Sequence, residues 1–79
     1  MRKVTLVDCT NYFNDIGIER LKNAIEAGHA VQIYIDCVGH TATARETAAY
    51  VTWLKDTYKE RLVADKQMHW NTVYYLKED

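Results

Sequence analysis

The first residues in this chain whose types could do chemistry are two Asp-Cys pairs. Each closes an apolar run: Leu6-Val7-Asp8-Cys9 and Tyr34-Ile35-Asp36-Cys37. If those runs are neighbouring parallel strands, both thiols reach the carboxyl end of a sheet, where α/β proteins build ligand sites. There Cys9 and Cys37 would form a thiol site, with thiolates favoured by adjacent helix N-termini. The competing reading is two small residues filling a tapering sheet end. It is the stronger one, because the neighbouring Asp8 and Asp36 disfavour a thiolate.

Other reactive groups are scattered. Cys9, Cys37 and His40 could in principle supply zinc ligands, but Cys37-x-x-His40 is half a motif with no second pair, so no metal is expected. His29 follows a helical pattern, where a cation suits the helix C-terminus, and His69 falls in a polar turn. Asp8 and Asp36 could pair as carboxylates, although capping the loops that follow them is the commoner role. The chain holds no nucleophile elbow, phosphate-cradling Gly loop or Ser/His/Asp arrangement. The expectation is a protein without cofactor that is not an enzyme.

Composition narrows the partners. With 79 residues the chain is one domain, 1–79, and one so small that association would help its stability. Ten basic against eleven acidic side chains leave a net charge of −1, which lacks the footprint of a nucleic-acid or anionic-lipid binder. No apolar run has the length of a membrane span, and the first residues lack a signal-peptide profile. Two cysteines in that setting read as reduced thiols, so a cytoplasmic location is expected.

The elements that would position these residues follow from periodicity. Residues 3–9 alternate as a strand, with Val4, Leu6 and Asp8 on one side and Thr5, Val7 and Cys9 on the other. Asn14 or Asp15 caps a helix whose stripe is Ile18, Leu21, Ala24 and Ile25, and Gly28 stops it. Residues 30–37 form the central strand, with Val31, Ile33 and Ile35 opposite Gln32, Tyr34 and Asp36. A loop over 38–42 leads to a Thr43/Glu46 capping box and a second helix burying Ala44, Ala48, Val51, Leu54 and Tyr58, with Tyr50 and Trp53 flanking the stripe. Stopping that helix near residue 59 matches it to the strands in length. Residues 61–65 are then a third strand, 66–69 a turn and 70–77 a fourth strand. The fold class is α/β (α+β): a two-layer β-α-β-α-β-β sandwich, its mixed four-stranded sheet carrying two helices on one face.

On these residues the chain resembles the TusA/SirA-type sulfur-carrier proteins, over nearly its whole length. Val7-Asp8 stands where that family closes its first strand, the loop over 9–17 has the family's length, Gly28 precedes the second strand, and residues 70–77 resemble its aromatic final strand. The resemblance implies the fold of the C-terminal domain of translation initiation factor 3. The family's Cys-Pro-x-Pro motif is missing: its positions fall on Asn14, Asp15, Ile16 and Gly17, and the chain contains no proline. An amide carries no sulfane sulfur, so the family's chemistry does not transfer with its shape.

Aromatic residues point elsewhere. Tyr12, Phe13, Tyr34, Tyr50, Trp53, Trp70, Tyr74 and Tyr75 exceed what one helix-facing core should absorb. The sheet face without helices is expected to carry Thr5, Val7, Gln32, Tyr34, Val73 and Tyr75, a half-apolar surface suited to self-association or a partner. The expected function is a degenerate, non-catalytic TusA-like domain that binds protein through Tyr34, Tyr75, Val73 and Gln32, through the second helix, or both. It would serve as an accessory or inhibitory protein or a homodimer. The alternative is a thiol or persulfide carrier using Cys9 or Cys37.

Overall fold

A computed structural model describes residues 3–10, 12–35, 40–41, 43–68 and 71–77. The elements run β1 (Val4–Cys9), α1 (Asp15–Glu26), β2 (Ala30–Ile35), β3 (His40–Thr41), α2 (Ala44–Tyr58), a 3-10 turn (Lys59–Arg61), β4 (Leu62–Met68) and β5 (Asn71–Leu76). Strands lie in the order β1-β2-β5-β4, and the short β3 pairs with the end of β2. β1 and β2 are parallel, and β2 with β5 and β4 with β5 are antiparallel. This is the expected two-layer α+β sandwich. The two-residue β3 is an addition, inside a stretch expected to be loop.

Local chemistry explains where the helices begin and end. Asn14 is the N-cap of α1, its side chain accepting from the Ile16 and Gly17 amides, and Asp15 in the first turn suits the helix dipole. At the other end Gly28 takes φ 93°. The Gly28 amide donates to the Ile25 carbonyl and the His29 amide to that of Ala24, a Schellman closure that needs the left-handed residue. α2 opens on the expected capping box: the Thr43 amide donates to Glu46 Oε2 at 3.0 Å, and the Glu46 amide to Thr43 Oγ1 at 3.3 Å. It ends at Tyr58 as length matching requires, Lys59 breaking it at φ 52°.

Three boundary and facing expectations need correction. β4 continues to Met68, past the expected end at residue 65, because Lys66 still pairs with Thr72 before a register shift between Lys66 and Met68. The turn is therefore shorter than 66–69, and His69 and Trp70 lie outside the described residues. The buried stripe of α2 is Thr47, Tyr50, Leu54 and Tyr58, with Ala48 exposed and Val51 half-buried. The helix is thus rotated toward Tyr50, whose hydroxyl finds partners inside (below) and so permits a large polar-tipped ring to be buried.

The third correction concerns β1. Val7 and Cys9 join Val31, Ile33, Ile35, Leu21, Ile25, Tyr50, Leu54 and Tyr58 in one core, while Val4 and Leu6 are exposed. The register pairs Val7 with Ile33 and Cys9 with Ile35, so Thr5, Val7 and Cys9 face the helices, opposite to expectation. Asp8 decides this. It shares a row with Val4 and Leu6, and turning that row inward would bury a carboxylate, whereas Cys9 is buried at little cost.

Candidate functional site: the helix-free sheet face and the strand-end thiol

The face of the sheet away from the helices is set by register. Val31 pairs with Tyr74, and Tyr74, Leu62 and Leu76 pack against the core. Alternation then turns Val73 and Tyr75 of β5 to the other side, with Val63 and Asp65 of β4 opposite them. Gln32 and Tyr34 of β2 and Val4, Leu6 and Asp8 of β1 complete that side. Of the residues proposed from sequence, Gln32, Tyr34 and Tyr75 are half-buried there. Val73 shares the face but is only 4% exposed, so it offers little of itself to a partner. Thr5 and Val7 belong to the other layer. In their place stand Val4 and Leu6, 56% and 54% exposed, the exposed large hydrophobic residues among the described strand residues. Sequence reasoning gave these two to the core, and the signal that could have placed them was Asp8 in the same row.

A second set of residues gathers where β1 runs into α1. Tyr50 is 1% exposed and donates its hydroxyl proton to the Tyr12 carbonyl at 3.0 Å, with Thr10 Oγ1 at 3.1 Å. Thr10 in turn donates to the Tyr12 carbonyl and accepts from Asn14 Nδ2. The Phe13 ring lies against that of Tyr50, centroids 5.0 Å apart. Gly17 is required beneath it, since a Cβ there would come within 2.6–2.7 Å of Tyr50 ring carbons. Asn14 and Gly17 both have structural work: one caps α1, the other admits the tyrosine. Tyr12, Phe13 and Ile16 remain exposed around this corner.

Cys9 is 2% exposed, packed in the core. Burial pushes its thiol up to about 12; the Arg20 guanidinium pulls the other way and Asp8 adds to the rise. Arg20 Nη1 donates to the Asp8 carbonyl at 2.7 Å, across the sheet edge. Asp8 itself is exposed. Asp36 and Cys37 lie outside the described residues, so the paired-thiol and paired-carboxylate expectations extend beyond what the structure describes. His29 Nδ1 sits 2.9 Å from Thr5 Oγ1, joining the end of α1 to β1. Among the described residues no group of three His, Cys, Asp or Glu side chains is arranged to hold a metal ion. Among the described residues no helix is long and apolar enough to cross a membrane.

No family model matches the chain, and no curated protein or solved structure matches it either.

Proposed function

We propose that this chain is a non-catalytic, TusA-like domain that works by binding another protein through the helix-free face of its sheet. The observation that carries this reading is the pair Val4 and Leu6, more than half exposed, on the same face as the half-buried Tyr34 and Tyr75. Exposed aliphatic residues flanked by amphipathic tyrosines have the composition of an interface core, and Asp8, Asp65 and Gln32 supply polar neighbours. The balanced charge argues for a protein partner over a phosphate backbone.

A thiol or persulfide carrier is the other class of function. Cys9 is poorly suited to it, being buried and held protonated. That alternative therefore rests on Cys37 alone. Replacing Tyr34 and Tyr75 together by Ser tests the interface reading: capture of a different protein should fall about tenfold or more. Unchanged capture by a folded double variant would sink it.

A further inference from the structure

The two edges of the sheet are built differently. β4, at one edge, is exposed at Ala64, Asp65 and Lys66 and carries a register shift between Lys66 and Met68. Charged residues and bulges are the devices that keep an edge strand from recruiting another chain. β1, at the opposite edge, is less guarded: Val4–Cys9 is in unbroken register with β2 over its full length, and its only charged residue is Asp8 near its end. Among the described residues no strand pairs with its outer side.

The backbone groups on that edge can be assigned. The Lys3 carbonyl accepts from the Ala30 amide at 2.9 Å, so alternation directs the polar groups of Thr5 and Val7 toward β2. Those of Val4, Leu6 and Asp8 point outward, and the Asp8 carbonyl is already engaged there by Arg20. What remains is the N–H and C=O of Val4 and of Leu6, two residues apart. That spacing is self-complementary about Thr5.

We propose that β1 pairs antiparallel with β1 of a second copy, on a two-fold axis through Thr5, so that Val4 and Leu6 exchange backbone hydrogen bonds with Leu6 and Val4 of the second copy. Opposed residues in such a ladder point to the same face. The exposed Val4 and Leu6 side chains would then cover one another, and the helix-free faces would join into one continuous sheet. A two-fold pairing also closes on itself, with the guarded β4 strands at the two ends of the joined sheet. This dimer uses the sheet edge and stands whether or not the face binds a different protein.

The test is sedimentation velocity of the full chain across a concentration series to roughly 1 mM, with amide hydrogen exchange read residue by residue. The expected result is a concentration-dependent dimer in which Leu6 N–H protection rises with dimer fraction while Val7 N–H protection does not. Leu6→Pro removes an outward N–H and leaves the bonds to β2 intact, and should raise the dimer dissociation constant about tenfold or more. If that variant fails to fold, Leu6→Lys places a charge on the same edge and should do the same. A monomer at every concentration, or a dimer indifferent to Leu6→Lys, would overturn the proposal. So would a dimer abolished by Tyr34→Ser with Tyr75→Ser while Leu6 N–H stays unprotected, which would move self-association to the sheet face.

Discussion

Cys9 shows how far a residue's surroundings can overrule its type. Its position after Asp8 at a strand end suggested a reactive thiol, but the side chain belongs to the core, with its titration pushed up to about 12. In the folded protein Cys9 should resist a thiol-specific alkylating reagent at pH 8 over hours and react promptly once denaturant is added; mass detection separates it from Cys37. The same burial has a pH consequence. A thiol that ionises near 9 when unfolded and about 12 when folded keeps its proton only in the native state between those values. The stabilisation is thus complete below pH 9 and is lost as pH rises toward 12, by at most about 1.4 kcal/mol per pH unit. Tyr58, raised by burial and by its 2.8 Å hydrogen bond to Glu26, and Tyr74, raised by burial, act in the same direction. Cys9→Ala should flatten part of that alkaline loss in a urea titration repeated at pH 8 and pH 10.5.

At the scale of elements, the readable features were those with local causes. The Thr43/Glu46 capping box, the Gly28 stop, the Asn14 cap and the end of α2 near Tyr58 each follow from neighbours in sequence. The facing of β1 and the rotation of α2 do not, because each depends on a contact distant along the chain. Val4-Leu6 and Val7-Cys9 are similarly apolar rows, and only the cost of burying Asp8 separates them. Tyr50 looked like a flanking residue because its partners, the Tyr12 carbonyl and Thr10, are nearly forty positions away. Gly17 gave no sequence signal at all, its role being to make room for that ring. Gly17→Ala should destabilise by about 1–2 kcal/mol despite alanine's better helix propensity, and by less in a Tyr50→Leu background; a double-mutant cycle in urea reads the difference. Lys59, at φ 52° and ψ −126°, holds a backbone geometry that costs a side-chain-bearing residue about 1 kcal/mol or more. Lys59→Gly should therefore raise the urea midpoint without changing the slope.

At the scale of the whole molecule, the architecture was legible because length, helix count and strand spacing leave few ways to cover one face of a sheet. The site was legible only in part. Tyr34, Tyr75 and Gln32 are where alternation put them, Val73 is on the right face but buried, and Val4 and Leu6 emerged only with the register of β1. The result is a small sheet with one face covered, one face free of helices, and one edge less guarded than the other. The account assigns function to that surface and none to the buried thiol. The most direct test compares two variants in one assay of binding to a different protein, Tyr34→Ser with Tyr75→Ser and Cys9→Ser with Cys37→Ser, each confirmed folded by circular dichroism. The tyrosine variant should lose that binding by about tenfold or more while the cysteine variant keeps it. Retention by the first and loss by the second would contradict it.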